Sequence, residues 1–457
     1  MQQRLGRKSF ALLIAPALAV APMAVHASGF ALLEQNASGL GNAYAGAAAN
    51  PEDASTIYFN PAGLSYISGR QFVGGLSLIR PSAQFSDLGS QPSGTSAIPS
   101  TLRPLGGNGG DAGSLAYVPN LYLALDLAPN WKIGVGLNAP FGQKTHYDPD
   151  WAGRFMGVTS EIRTLNLNPT ISYKASDTVS LGFGANLQRI DANFTSAVNY
   201  AAAAASTGGA PAAGAVVASG RSEGTAVLKG NDTAWGWNAG AMFNLTPQTR
   251  LGVAYRSEIR YRINGTASFS NIPVTVSPLI NAGLNAQFGA GNIYSDVKLP
   301  ASWSVALTHQ LNDRWKILGD IAWTGWSSIQ NLAFYRQGGT LLSSTPENFR
   351  DTWRVAIGAT YRMNDQWSLR SGVAYDQTPV NSANITPRLP DNNRTWLSIG
   401  AQYRMSSAVK VDVGYSHLFM KDASINQNAG NAAFYGTLTG SYKESVDILG
   451  AQLAYSF

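Results

Sequence analysis

The stretch Trp353-Arg-Val-Ala-Ile-Gly-Ala-Thr-Tyr-Arg362, closed by a turn at Asn364-Asp365 and reopened by Trp367, decides the fold of this chain. Trp353, Val355, Ile357, Ala359 and Tyr361 alternate with Arg354, Ala356, Gly358, Thr360 and Arg362. A period of two puts the first set on one face of a strand and the small or charged set on the other. The same alternation runs through Trp131, Ile133, Val135 and Leu137, and again through Val409, Val411, Val413 and Tyr415. It begins at Gln71 and continues to the C-terminus.

The connections sort into two classes. Tight turns fall at Pro129-Asn130, Ser176-Asp177, Pro247-Gln248, Asn312-Asp313, Asn364-Asp365 and Ser406-Ser407. Between them lie long connections at 83–114, 141–161, 196–231, 269–293, 332–346, 379–391 and 422–443. Short and long alternate strictly, which gives about fourteen strands with both chain ends on the short-turn side, the pattern of an outer-membrane barrel. A soluble sandwich has no reason to sort its loops in this way. Trp131, Tyr173, Trp315, Tyr361, Trp367, Tyr403 and Tyr455 sit beside the short turns or the C-terminus, where an interfacial girdle belongs.

Composition agrees. Only 13% of the 457 residues are charged and 45% are apolar, with no cysteine and 48 glycines. Mean hydropathy is −0.07, which excludes a polytopic helical membrane protein built from apolar runs of about 20 residues. Without cysteine there is no disulfide framework and no thiolate metal site. Residues 1–27 read as a secretory signal: Arg4, Arg7 and Lys8, an apolar run from Phe10 to Val25, and the small-x-small ending Val25-His26-Ala27. Its removal takes three positive charges from a net +6, leaving too little to argue for nucleic acid as a partner.

Residues 28–70 precede the first strand and do not alternate. They are rich in small residues, poor in charge and contain short helix-capable pieces, which suits a compact plug inside the barrel. The expected organisation is therefore a signal peptide (1–27), an N-terminal, partly helical hatch (28–70) and a 14-stranded antiparallel transmembrane β-barrel (71–457), an all-β membrane protein of the bacterial outer membrane.

Gly29-Phe30, Asn60-Pro61-Ala62, Trp151-Ala-Gly-Arg154, Leu165-Asn-Leu-Asn-Pro169, Trp323-Thr-Gly-Trp326-Ser and the stretch Pro387 to Trp396 occur in order along the chain. Together they resemble the FadL family of outer-membrane long-chain fatty acid transporters, some members of which take up aromatic hydrocarbons. The resemblance implies passive uptake of hydrophobic molecules without a cofactor: capture in a groove between outer loops, a site near the hatch N-terminus, and release into the membrane through a gap at the third strand. On that basis Ser28 and Phe30 are expected to contact ligand. Asn60, Pro61 and Ala62 are expected to position the hatch, and Pro140, Phe141 and Gly142 to form the lateral exit, since proline lacks a ladder donor and glycine weakens pairing. Val216, Val217, Ile272, Val274 and Leu279 are candidates for the groove.

One departure stands out. The fatty-acid members hold the carboxylate with basic side chains in the upper lumen, at positions that correspond to Phe194 and Thr345 here; Arg189 and Arg350 lie close in sequence and are candidate substitutes. The departure favours neutral hydrocarbons as alternative substrates. Expected partners are long-chain fatty acids or other hydrophobic small molecules, outer-membrane lipid and lipopolysaccharide, and the barrel assembly machinery through the terminal Phe457, with the protein a monomer.

Other classes are weaker. Gly220-Arg-Ser222-Glu-Gly224 matches G-x-S-x-G, but in an Ala/Gly/Ser-rich loop without the strand-to-helix elbow the motif needs. His26, His146, His309 and His417 are scattered, and Glu52-Asp53 in the hatch is better read as solvated or capping than as an acid–base pair. A general diffusion porin needs a charged, open constriction, against which the low charge and the apolar plug both argue.

Overall fold

The structure is a computed structural model that describes residues 29–94 and 104–457; the expected signal peptide and Ser28 lie outside the described residues. Twenty ladder segments merge into a single closed sheet of 14 antiparallel strands, six of them broken in two. The unbroken strands are β1 (Gln71–Asp87), β2 (Ala116–Ala128), β4 (Thr159–Lys174), β5 (Val179–Asn199), β6 (Glu223–Asn244), β11 (Trp367–Asp376), β12 (Arg394–Arg404) and β14 (Leu438–Ser456). The broken ones are β3 (Trp131–Asn138, Gly142–His146), β7 (Thr249–Arg256, Ile259–Phe269), β8 (Gly291–Leu299, Ser302–Gln310), β9 (Trp315–Thr324, Asn331–Arg336), β10 (Leu341–Pro346, Thr352–Arg362) and β13 (Val409–Met420, Ala423–Gln427). Pairing of β1 with β14, from Gln71↔Ser456 to Asp87↔Gly440, closes the barrel and leaves no edge, as hydrocarbon demands of a backbone.

The alternation points where it should. Val355, Ile357, Leu397 and Ile399 are exposed on the outer wall, whereas Ala356 and Ser398 are buried inside. Cross-strand rings mark the short-turn end: Trp131 stacks on Tyr173 at 4.4 Å, and the tilted pairs Trp315–Tyr361 and Trp367–Tyr403 each lie at 4.7 Å. A second ring, including Trp237–Tyr255 at 5.0 Å and Trp303–Trp353 at 5.3 Å, marks the far interface. Trp315 and Trp323 on β9 are then separated by roughly 20 Å along the axis, close to the apolar band of outer-membrane barrels.

Several long connections are shorter than the sequence suggests, because the strands outrun the membrane. β1 continues to Asp87, β5 to Asn199 and β6 starts at Glu223. The expected loop at 332–346 is instead the hairpin of Asn331–Arg336 and Leu341–Pro346. Beyond the hydrocarbon both faces of a strand are wet, so alternation fades while backbone pairing persists. Two helices cap this end, α2 (Tyr200–Ala218) and α3 (Pro278–Phe288), packed through Tyr200 and Phe288 at 5.1 Å; the plug and the last loop carry the one-turn helices α1 (Thr56–Phe59) and α4 (Ala432–Tyr435).

Residues 29–70 fill the bore, and inward glycines of the wall make room for them. A Cβ on Gly240 would lie 2.1 Å from Asn60 Oδ1, on Gly252 2.0 Å from the Ala48 carbonyl, on Gly182 2.2 Å from the Ala62 amide and on Gly372 2.2 Å from Asn42. Plug backbone therefore rests directly on wall backbone. Asn60 uses the proximity: its side-chain amide donates to the carbonyls of Ala48 (2.7 Å), Ala241 (3.1 Å) and Val253 (3.3 Å), and its oxygen accepts from the Ala62 amide. At the short-turn end Glu52 accepts from Lys316 (2.7 Å) and Arg370 (2.6 Å) on the wall. Burial alone would raise the Glu52 pKa, but these two cations outweigh it and hold the carboxyl below its usual range.

Candidate functional site

The first described residues of the plug meet a defect in the wall. In β3 the ladder stops at Asn138 and resumes at Gly142, three residues on this strand spanning two on β4. Pairing of β3 with β2 ends at Leu121↔Leu137, although β2 runs on to Ala116 against β1 alone. Pro140 removes a donor at this point, and Thr164 Oγ1 stands in, accepting from the Phe141 amide at 2.9 Å and donating to its carbonyl at 2.7 Å.

The plug then pairs with the kink. Leu32 donates its amide to the Pro140 carbonyl (2.8 Å) and Gly142 donates to the Phe30 carbonyl (2.9 Å), with Ala31 bridged antiparallel to Phe141. Gly29 precedes this pairing with φ of +59°, and a Cβ there would meet the Trp326 ring at 2.8 Å, so conformation and space both demand glycine. Its amide donates to Asp391 Oδ2 at 3.0 Å, and Asp391 is itself held by Thr378 and Arg394.

Phe30 is 4% exposed and sits between two inward turns of the wall. Its ring lies 5.9 Å from Phe141 of β3 and 4.8 Å from Trp326, which a short turn between the halves of β9 carries into the bore. Phe141 and Trp326 are 6.1 Å apart, so three rings close on one another. On the outer side of this barrier lies a cavity of about 530 Å³ that ends on Phe30 and is lined by Ile162, Ile190, Phe194, Ile263, Phe334 and Phe349, among others. On the other side lies a smaller one of about 150 Å³, bordered by Pro140, Phe141, Leu32 and Trp326. The larger falls in the range of small-molecule sites, and its walls are mainly apolar. Further out, α3 and the last loop border a groove of about 520 Å³ lined by Phe155, Phe269, Phe288, Phe334, Phe434 and Tyr435.

Arg388 borders both the groove and the central cavity. Its guanidinium donates to Ser160 Oγ at 3.0 Å and lies 5.4 Å from the Phe194 ring centroid, while Gln143 holds its carbonyl. Glu347 is buried nearby; removal from water pushes its pKa up to about 7, against the pull of Arg388. The same desolvation lowers the Arg388 pKa to about 10, which leaves the guanidinium charged at neutral pH.

The expected site residues separate. Phe30, Phe194 and the Pro140–Phe141–Gly142 kink converge on the two cavities, and Thr345 borders the outer groove. The two arginines do not. Arg189 is exposed on the outer wall and paired with Asp191 at 2.8 Å, because its neighbour Ile190 takes the inward position. Arg350 is exposed and bonded to the Thr378 carbonyl at 3.3 Å, borders neither cavity, and leaves Phe349 to face inward. The groove candidates are also displaced: Val216 is buried between loop elements, and Val274 and Leu279 are exposed at 74% and 84%, because the aromatic residues take the lining.

The sequence motifs account for this architecture. Leu165 and Leu167 face outward while Asn166 and Asn168 are buried in a ladder of amides with Asn138, Asn186 and Asn238. Trp151 stacks on Tyr147 at 4.0 Å, and Arg154 grips Glu223 through two bonds of 3.0 and 2.9 Å, fixing the loop over the cavity.

Comparison with known proteins places the chain. A long-chain fatty acid transport protein of Salmonella typhi is 30% identical over 438 residues, covering 93% of this chain and 96% of that protein. A 47 kDa outer membrane protein of Pasteurella multocida is 29% identical, covering 97% and 98%. The crystal structure of a Pseudomonas aeruginosa FadL homologue matches with a TM-score of 0.83 at 28% identity, covering 94% of this chain and 100% of that one. The Pseudomonas putida toluene transporter TodX shares the fold, with a TM-score of 0.65 at 20% identity over 94% and 100% of the two chains. The model of the outer membrane protein transport protein family (OMPP1/FadL/TodX) matches residues 18–457, and this β-barrel of the outer membrane belongs to that family.

Proposed function

We propose that the protein admits long-chain fatty acids passively across the outer membrane. The observation that carries the reading is the apolar cavity of about 530 Å³ that ends on Phe30, the residue whose backbone bonds the kink in β3. Transfer from water is worth about 0.8 kcal/mol per methylene, so a sixteen-carbon chain gains on the order of 12 kcal/mol in such a site and nothing in a watery pore. The acyl chain is captured in the aromatic groove, passes Arg388, which takes the carboxylate, and lodges against Phe30. Displacement of Phe30 frees the Phe30–Leu32 pairing, joins the two cavities and opens the kink at Pro140–Gly142 towards lipid. Asn60-Pro61-Ala62 keeps the rest of the plug seated meanwhile. No step in this path calls for bond chemistry.

The test is uptake of radiolabelled oleate by a deletion strain carrying the gene on a plasmid, with the empty plasmid as reference. Equal uptake in the two strains overturns the reading. A second reading, entry of neutral hydrocarbons, is favoured by the apolar Phe194 in the cavity wall; toluene uptake in the same strains decides between them. Large steady currents in planar bilayers would support a diffusion porin instead.

A further inference from the structure

Across the bore from the β3 kink the wall has another interruption, and it faces a different environment. The ladder between β8 and β9 is continuous from Gln310↔Lys316 to Ser302↔Thr324, then resumes only for Tyr294↔Tyr335 and Ile293↔Arg336. Residues 295–300 of β8 therefore face residues 326–334 of β9 without a backbone ladder, which ends on the bond from the Gly325 amide to the Ala301 carbonyl at 2.9 Å, because β9 turns inward there to deliver Trp326. Side chains bridge the space: Ser295 Oγ donates to the Ala333 carbonyl at 2.7 Å and Ser328 Oγ to the Lys298 carbonyl at 3.0 Å. Both edges, Ser295–Leu299 and Ser328–Phe334, border the central cavity. A similar interruption between β6 and β7, from Asn231↔Asn264 to Asn238↔Arg256, leaves residues 232–237 of β6 off that cavity.

The position of the β8–β9 interruption relative to the membrane sets its use. It lies beyond the outer aromatic ring marked by Trp303 and Trp353, and the outward side chains flanking it, Asp296, Lys298, Gln330 and Asn331, are polar and exposed. It therefore faces the headgroup layer rather than hydrocarbon. Lys229, Arg260 and Lys298 border the cavity here, against Asp296 and Glu347, and Arg260 is paired with Glu258. We propose that the space between β8 and β9, held shut by Ser295 and Ser328, is a side entrance through which an anionic amphiphile already resting in the outer headgroup layer reaches the central cavity without passing the loop groove. Two hydroxyl bonds in place of a ladder part at small cost, since each is worth only about 0.5–1.5 kcal/mol net. Lys298 and Lys229 offer the carboxylate its cationic partners, and the apolar lining receives the chain behind it.

The inference rests on the uptake reading above, and the test separates the two. Tyr294↔Tyr335 continued by two residues sets Asp296 opposite Ala333, so Asp296→Cys with Ala333→Cys would clamp the interruption; the chain has no other cysteine to compete. Initial uptake of radiolabelled oleate is measured in cells carrying this variant, reduced and oxidised, with the crosslink read on a non-reducing gel. Oxidation is expected to slow uptake several-fold and reductant to restore it. Unchanged uptake in crosslinked protein overturns the entrance, whereas no uptake in the reduced protein alongside none in the unmodified protein overturns the transport reading itself. The pair Ser295→Ala with Ser328→Ala, which removes both bonds, provides the second arm: faster uptake supports the entrance, and unchanged or slower uptake in a heat-modifiable, folded barrel overturns it.

Discussion

Replacing Arg388 with alanine should separate recognition of a charged head from accommodation of an apolar tail. The guanidinium stands where the outer groove meets the central cavity, held by Ser160 and set against the Phe194 ring. A hydrogen bond to a charged partner is worth about 1.5–3 kcal/mol, and 1.4 kcal/mol is tenfold in affinity, so Arg388→Ala should weaken oleate binding roughly ten- to a hundred-fold. Methyl oleate keeps the chain and loses the charge, and its affinity should change little. The assay is displacement of a fluorescent fatty acid from detergent-solubilised protein by each ligand. Glu347 adds a pH dependence. Its carboxyl, raised to about 7 by burial, is mostly neutral at pH 6 and mostly ionised at pH 8, when it competes with ligand for Arg388. Affinity for a long-chain alkyl sulfonate, ionised throughout, should therefore fall as pH rises across this window, and Glu347→Gln should flatten the profile. The stability effect has the same sign: a carboxyl with a raised folded pKa contributes stability that is present below its unfolded value and lost as pH rises through about 7. Equal loss of oleate and methyl oleate in Arg388→Ala would refute headgroup recognition and leave Arg388 a structural clamp.

Phe30→Ala removes the ring between the two cavities; large-to-small core changes of this kind cost about 3–5 kcal/mol, and the loss should appear as faster hydrogen exchange at residues 29–35 with the barrel intact. Its fatty-acid binding should weaken too, and unchanged binding counts against a ligand-contact role. A Cβ on Gly142 would meet Leu32 at 3.1 Å, so Gly142→Arg drives its side chain into the plug pairing and should abolish oleate uptake in a folded barrel; undiminished uptake sinks the lateral exit. Glu52→Gln removes the charge that Lys316 and Arg370 share; with Glu52 and Lys316 partly exposed and Asp412 still holding Arg370, the cost should fall below the about 3–5 kcal/mol of breaking a fully buried pair. The variant should leak ions in planar bilayers, and a silent bilayer would show that the rest of the plug suffices.

The barrel was legible because hydrocarbon imposes period two and the short turns recur with it. Legibility stops at the outer interface. In β5, Leu181 and Phe183 face lipid, whereas Ile190 and Phe194 face the cavity, so the apolar face changes sides without a break in the strand. Counting by twos from Phe183 already sets Arg189 outward, a signal that proximity in sequence obscured. For Arg350 no such count works, since β10 is interrupted between Pro346 and Thr352. Phe30 could be found as the first large apolar side chain of the plug, but its partner Trp326 could not. Trp323-Thr-Gly-Trp326 reads as a strand end until the turn carries Trp326 inward. Arg388 lies inside the motif from Pro387 to Trp396, and nothing in one dimension distinguishes it from Arg394, which is spent on Asp391.

The distribution of contacts along the plug argues for where it yields. Near the short-turn end, Glu52 holds two cations, Asp53 accepts from Ser38 (2.7 Å) and Gln452 (2.8 Å), and Asn60 reaches the carbonyls of β6 and β7. Wall glycines lock the intervening backbone so closely that it cannot slide without clashing. The first residues have none of this. They hold on by two backbone bonds to a strand already interrupted by Pro140, by the Gly29 amide on Asp391, and by one aromatic ring in a cluster that borders an apolar cavity. A ligand that competed for the space around Phe30, as proposed, would therefore act on the most lightly held part of the plug. On the proposed path, a motion of these few residues would join the cavities while the remainder of the plug stays seated against ions and water.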